Sequence, residues 1–190
     1  MKTDNTIKKR ELKEITLDLS NDVNVNILED SIIFEKGKSK IQIKYNPVYV
    51  LVNKKDNAIV ITPINSRKRT KAVLNTTEKL ITNAIHGLDH EYVYKLAIVF
   101  SHFPITAKVD GEYVIISNFL GEKKPRKAKI LPNCHVDIKG RDVILKSIDK
   151  TAAGQTAGNL EKATKVKKKD YRMFDDGCYI VEKPKIEKKK

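Results

Sequence analysis

Four histidines and two cysteines are the side chains of this 190-residue chain best suited to proton transfer, nucleophilic attack or metal binding. Their spacing supports none of these. His86 and His90 are four apart, the interval that puts two ligands on one helix face. Gly87 falls inside that span, however, and His86-Gly87-Leu88-Asp89-His90-Glu91 reads as a helix-to-strand turn. His102 and His135 each stand alone beside a strand, with no Cys or Asp at the spacing of a nucleophile and its base. Cys134 and Cys178 are too far apart for a C-x-x-C motif, and their apolar neighbours predict buried, inert thiols in a reducing compartment. The sequence has neither a P-loop ending in Gly-Lys-Ser/Thr nor a G-x-G-x-x-G. The expectation is a protein that is not an enzyme and uses no metal and no cofactor.

Phosphate is the ligand that the composition does suit. Thirty-eight Lys and Arg against 24 Asp and Glu leave a formal charge of +14, which favours a polyanionic partner, nucleic acid first. The excess is uneven, since residues 1–121 hold 18 basic against 14 acidic side chains and residues 122–190 hold 20 against 10. The basic residues of the last part cluster as Lys123, Lys124, Arg126, Lys127 and Lys129, as Lys165, Lys167, Lys168, Lys169 and Arg172, and from Lys183 to Lys190. The first part, including its exposed-looking Arg67-Lys68-Arg69-Thr70-Lys71, is expected to contact RNA little. Between the clusters lies a small-residue segment, Ser147 to Leu160, in which Gly154 and Gly158 share one side of a helix. Each costs ~1 kcal/mol relative to Ala, which close approach of another backbone would repay. That backbone is either the protein's own sheet or a phosphate chain. Lys150, Thr151 and Gln155, near the N–H groups of the helix N-terminus, are donors of the kind that phosphate oxygens accept.

The elements that must position these residues follow from periodicity. Val23, Val25 and Ile27 alternate with Asn24 and Asn26. Ile32-Ile33-Phe34, Ile41-Gln42-Ile43-Lys44-Tyr45, Tyr49 to Val52 and Ala58 to Thr62 continue a meander with a turn at Gly37. From Thr70 the spacing becomes helical, and Gly87 sits where a helix C-terminal glycine would sit. Tyr92 to Phe100 and Tyr113 to Ile116 read as strands, Asn118 to Pro132 as a Gly- and Pro-punctuated stretch, and about Thr151 to Thr164 as a second helix. Shifted by 111 positions, residues 23–35 fall on residues 134–146, which predicts a duplicated hairpin, with two extra strands inserted before the helix of the first copy. The fold class expected is α+β, two tandem copies of a small module, each an antiparallel-rich sheet with one packed helix. The expected boundaries are an N-terminal extension over 1–14, modules over 15–90 and 91–182, and a basic tail over 183–190. No apolar run approaches the ~18–20 residues of a membrane-spanning helix, and no signal peptide is visible, so a soluble cytoplasmic protein is expected.

Asp149-Lys150-Thr151-Ala152-Ala153-Gly154-Gln155-Thr156-Ala157, Lys167-Lys168-Lys169-Asp170-Tyr171-Arg172 and Phe174-Asp175-Asp176-Gly177-Cys178-Tyr179-Ile180 resemble the C-terminal signature of the large-ribosomal-subunit protein six family. Phe100-Ser101-His102-Phe103-Pro104-Ile105 and Asn118-Phe119-Leu120-Gly121-Glu122-Lys123-Lys124 are similar to its archaeal and eukaryotic branch. The resemblance covers roughly residues 15–182. It implies a duplicated α+β fold and a structural ribosomal protein whose C-terminal module binds large-subunit ribosomal RNA near the sarcin-ricin loop. It also implies neighbouring ribosomal proteins at the stalk base as partners, an indirect effect on translation factors, and nucleolar assembly if the source is eukaryotic. The expected RNA-binding set is Lys123, Lys124, Arg126, Lys150, Gln155, Lys162, Lys167, Lys168, Lys169, Tyr171 and Arg172, with Tyr171 either stacking on a base or packing against the module. Backbone close approach is expected at Gly154, Gly158 and Gly177. A freestanding RNA-binding regulator and an RNA-processing protein are the alternatives.

Overall fold

The computed structural model describes residues 14–19, 22–37, 39–167, 169–170 and 172–184. The chain divides into two compact units after Leu88. The first unit begins with β1 (Ile15–Asp18), β2 (Asn24–Ile27), β3 (Ser31–Lys36) and β4 (Ser39–Lys44). It continues with β5 (Val50–Lys55), β6 (Ala58–Pro63) and α1 (Lys68–Asp89). It has two three-stranded antiparallel sheets, ordered β2-β3-β4 and β1-β6-β5. Alternation decides the faces: Val25, Ile32, Phe34, Ile41, Ile43, Val52, Ile59 and Ile61 are buried. The stripe Thr70, Leu74, Thr77, Ile81, Ala84 and Gly87 is the buried side of α1. Gly87 therefore lies inside the helix, contrary to the expected C-terminal glycine. Its lack of a side chain suits a buried position on that stripe, and the helix runs on through His86 to Asp89.

The second unit contains β7 (Tyr92–Val99), β8 (Thr106–Asp110), β9 (Tyr113–Ser117) and a 3-10 turn (Phe119–Gly121). These are followed by β10 (Arg126–Lys129), β11 (Cys134–Lys139), β12 (Asp142–Ser147), α2 (Lys150–Ala163) and β13 (Gly177–Glu182). Its sheets are ordered β10-β9-β8 and β11-β12-β7-β13. The strands β1, β8, β10 and β13 carry too short or too charged an alternation to stand out in the sequence. Strand β10, Arg-Lys-Ala-Lys, buries only Ala128.

Both units share one topology, as a duplicated α+β fold requires, but the hairpin equivalent to β11–β12 is not the one that the 111-residue shift selects. Every residue pair of the β5–β6 hairpin, from Val50–Pro63 to Lys55–Ala58, recurs 84 positions later in the β11–β12 hairpin, from Cys134–Ser147 to Lys139–Asp142. In both units that hairpin leads directly into the helix. The segment that the 111-residue shift matched to β11–β12 is β2–β3, whose pairing recurs there and also in β8–β9, but β2–β3 does not lead into a helix. Neither unit carries inserted strands relative to the other before its helix. All antiparallel hairpins share the same two-residue alternation, so alternation aligns any one with any other.

The core of the second unit joins both of its sheets to α2, with Leu96, Ile98, Val114, Ile116, Phe119, Val143, Leu145 and Leu160 among its most buried members. The buried face of α2 is Ala152, Ala153, Thr156, Ala157 and Leu160, small residues that let the helix lie close to the strands. A Cβ added at Gly154 would lie 2.9 Å from the Tyr94 hydroxyl oxygen, so this glycine makes room for a buried side chain and not for a backbone. At Gly158 an added Cβ meets no atom within 4 Å, so the protein's own sheet makes no close approach there. Gly177 does meet a backbone, since its Cβ would be 3.4 Å from the Thr164 carbonyl and 3.3 Å from the Tyr179 ring. Among the described residues no helix is long and apolar enough to cross a membrane.

The two helical glycines are expected to respond in opposite directions. Gly154→Val should destabilise the protein by about 1–3 kcal/mol through overpacking against Tyr94. Gly158→Ala should stabilise the free protein by up to about 1 kcal/mol through helix propensity alone. Thermal melts of the two variants check both.

Candidate nucleic-acid interface

Three loops of the second unit carry most of the sequence-derived site. The first, Phe100–Ile105, follows β7; the second, Asn118–Pro125, follows β9; the third, Lys165–Asp176, joins α2 to β13. Specific contacts tie each of them to another.

Arg126 connects the second loop to the end of α2. Its Nε and Nη2 donate to both Glu122 carboxylate oxygens at 2.8 and 2.6 Å, and its Nη1 donates to the carbonyls of Ala163 at 2.8 Å and Lys165 at 3.2 Å. The guanidinium also lies 4.1 Å from the centre of the Phe119 ring. A cation there satisfies carbonyls that the helix end leaves without intrahelical donors. The hydrogen bonds from Arg126 hold the Glu122 carboxyl below the usual range, with a smaller electrostatic contribution from Lys169. Arg126 was expected among the phosphate contacts. The structure commits its fork to the protein, because a guanidinium can bind a carboxylate bidentately and two carbonyls at once.

Asp176 connects the third loop to the first. It is fully buried, and its Oδ1 accepts a hydrogen bond from the Ser101 N–H at 2.9 Å and lies 3.4 Å from His102 Nδ1. Burial opposes its ionisation, yet the hydrogen bonds from Ser101 and His102 offset this and hold the carboxyl below its ordinary range. Among the described residues its Oδ2 is buried without a hydrogen-bond partner. The His102 ring stacks on Phe174 at 4.6 Å between centroids, and Lys169 Nζ lies 4.4 Å from the same Phe174 ring. Asp175 accepts from the Ser101 hydroxyl through its side chain and from the Tyr179 hydroxyl through its carbonyl. Asp170 accepts from the Arg172 N–H, and its carbonyl accepts from Met173 and Phe174. These acids, which dilute the basic stretch in the sequence, shape the loop that carries it.

Thr164 closes the third loop at its base. Its hydroxyl accepts from the Cys178 N–H at 2.9 Å and donates to the Leu160 carbonyl at 3.1 Å, locking β13 to the last turn of α2. Cys178 itself is buried, and burial pushes its thiol up to about 11, as an inert core cysteine requires. Cys134 is only half buried, and burial raises its thiol as well.

Among the remaining residues of the expected set, Lys123, Lys124, Lys162, Lys167, Lys169 and Arg172 are exposed around these loops and the C-terminal end of α2. Lys165 is exposed there too. Lys150 and Gln155 lie nearer the other end of a helix about 20 Å long, so the structure does not gather the whole set into one cluster. Asp149 caps that end by accepting from the Thr151 N–H at 2.8 Å, which uses one of the donors expected to face phosphate. Lys150 Nζ lies 5.8 Å from the Tyr92 ring centre. Lys168 and Tyr171 lie outside the described residues. Ser101, His102, Phe103, Phe174 and Asp176 belong to the site although their chemistry alone did not select them. The signal available was the pair of segments Phe100–Ile105 and Asn118–Lys124, which the structure brings together: the Asn118 side chain donates to the Pro104 carbonyl at 3.0 Å. Among the described residues no group of three or more His, Cys, Asp or Glu is placed to hold a metal.

The family model for ribosomal protein L6 matches residues 103–177, a span that contains all three tied loops but for the start of the first. The chain is 40% identical over 179 residues to the large ribosomal subunit protein uL6 of Archaeoglobus fulgidus, covering 90% of each. It is 37% identical over 178 residues to that of Methanosphaera stadtmanae, covering 93% of this chain and 96% of the relative. It is 47% identical over 137 residues to that of Aeropyrum pernix, covering 72% and 75%.

Replacing Asp176 tests the tie between the first and third loops. Asp176→Ala should cost about 1.5–3 kcal/mol, the range for hydrogen bonds to a charged group. The folded carboxyl titrates below its unfolded value of ~3.9, so its stabilisation is present above that pH and is lost as pH falls through the folded value. Asp176→Asn, which keeps an oxygen for Ser101, should therefore flatten the acid limb of a stability-against-pH curve without changing its shape near neutrality.

Proposed function

We propose, from the premise that this chain belongs to the ribosomal protein L6 family, in its archaeal branch, and is a non-enzymatic structural component of the large ribosomal subunit, that its second unit binds and orders ribosomal RNA. The observation that carries this reading is the arrangement of the second unit's loops. Arg126 pairs with Glu122 and two carbonyls, and Asp175 and Asp176 accept from Ser101, while Lys123, Lys124, Lys162, Lys165, Lys167 and Lys169 stay exposed around them. Charge left over after a scaffold has satisfied itself is what a polyanion neutralises. Lys150 and Gln155 add contacts toward the other end of α2, and Gly158, open on the protein side, leaves room for a phosphate backbone. Arg126 is left out of the contact set. Family likeness favours ribosomal RNA near the sarcin-ricin loop, beside proteins at the base of the factor-binding stalk, so that the protein supports translation by stiffening the landing site of translation factors. The module over 91–182 then carries the RNA face, and the module over 15–90 contributes less.

Salt dependence tests this. Affinity of the full chain for a large-subunit ribosomal RNA transcript should fall with salt at a log-log slope of roughly −0.7 to −0.9 per phosphate contact. Changing Lys162, Lys165, Lys167 and Lys169 together to Gln should flatten the slope by about two to four units. Changing Lys40, Lys44, Lys54 and Lys55 of the first unit, an equal change in charge, should alter it by less than about one. Equal losses from both variants would refer the binding to general basicity and remove the assignment to this face.

A further inference from the structure

Phe103 is a large aromatic side chain left 43% exposed in the middle of the tied loops. Every neighbouring position is held. His102, before it, lies on Phe174 and beside Asp176, while the carbonyl of Pro104, after it, accepts from Asn118. The ring tip rests on the second loop, since a Cβ placed on Gly121 would meet its Cε1 and Cζ at 3.4 Å and its Cε2 at 3.6 Å. Gly121 has a φ of +76°, so a side chain there is disfavoured by the backbone as well as by the ring. Lys123 and Lys124, both exposed, follow within three residues. Leaving an apolar ring partly in water does not help the protein fold, and no packing need explains holding it from both sides.

We infer that Phe103 is a stacking platform for an unpaired nucleobase, with Lys123 and Lys124 taking the phosphates that flank it. The inference rests on the RNA-binding reading above and narrows it, because a paired base inside a helix offers no free face to an aromatic side chain, whereas a loop, bulge or strand end does. A base laid on a ring that the protein already holds in place loses little side-chain freedom in binding. Stacking supplies the sequence-tolerant, salt-insensitive part of the affinity, and the lysines supply the salt-sensitive part.

The two parts can be read separately in the full-length chain. Phe103→Leu keeps an apolar contact for Gly121 and removes the ring. It should weaken binding to a short single-stranded RNA about 5- to 150-fold with an unchanged salt slope, and weaken binding to the duplex of the same sequence by less than about threefold. Phe103→Tyr should bind as the unaltered chain does. Lys123→Gln with Lys124→Gln should instead flatten the slope, by about 1.4 to 1.8 units. Because the chain has no tryptophan, Phe103→Trp introduces a single reporter whose emission should be quenched on adding the single strand and not on adding the duplex. This reading holds even if the leucine variant is poorly folded. An equal loss of affinity for single strand and duplex in Phe103→Leu, or unquenched emission from Phe103→Trp at saturation, would overturn the inference. So would a leucine variant that binds naked RNA normally and loses association only with large-subunit particles, since the ring would then serve a protein neighbour. If the unaltered chain shows no salt-dependent affinity for ribosomal RNA, it is the RNA-binding reading that fails, and the stacking assignment goes with it.

Discussion

Positive charge gathered at one end of a small unit repels itself, and the Arg126 guanidinium is the interaction that makes the gathering tolerable. It turns one of the basic residues inward and uses it as a joint between the second loop and the end of α2. The Ala163 carbonyl it meets belongs to the negative end of the helix dipole, and Glu122 supplies a full negative charge, so the most crowded point of the cluster is locally neutralised. The lysines on either side are then spread around a neutral centre. An isolated exposed ion pair is worth little, but this one is part-buried, bidentate and shared with two backbone acceptors, which is the geometry in which arginine outperforms lysine.

Asp176 plays the matching part on the other side. A buried carboxylate is costly unless its hydrogen bonds are supplied, and here they come from Ser101 and His102, 75 and 74 residues away in sequence. The consequence is that the third loop cannot relax without unpairing a buried charge. The aromatic contacts of Phe174 with His102 and Lys169 lie along the same seam, so a loop rich in lysine and poor in apolar side chains is nonetheless held at several points. Such ties fix where the exposed charges of the loop stand.

The duplicated topology explains why this machinery is confined to one unit. Both units build a hairpin that runs straight into a helix, with identical pairing 84 residues apart. The second unit alone, among the described residues, adds a strand after its helix, β13, pairing with β7. The chain between α2 and β13 is the third loop. Adding one strand to the shared plan thus created a tethered segment at the end of the helix, and that segment holds one of the basic clusters of the chain.

By itself the sequence determined the strands with clean alternation, the two helices to within a few residues, the α+β class and the third of the chain where charge accumulates. These depend on neighbours in the chain, through side-chain period and composition, and so can be read along it. It also carried the family likeness in segments of the three loops and in the first half of α2. Tertiary structure alone decided which basic residue turns inward, because Arg126 looks like Lys124 or Lys127 until the Ala163 and Lys165 carbonyls arrive from 37 and 39 residues away. It decided that Gly154 answers to Tyr94 while Gly158 answers to nothing in the protein. It set the true offset of the repeat, since alternation marks a hairpin without saying which one, and only sheet order and the place before the helix distinguish them. It brought Phe103 to Gly121 and Ser101 to Asp176. Contacts between residues far apart in sequence leave no period in the chain, and hydrogen-bond satisfaction in a buried site is a property of the assembled neighbours, not of any segment alone.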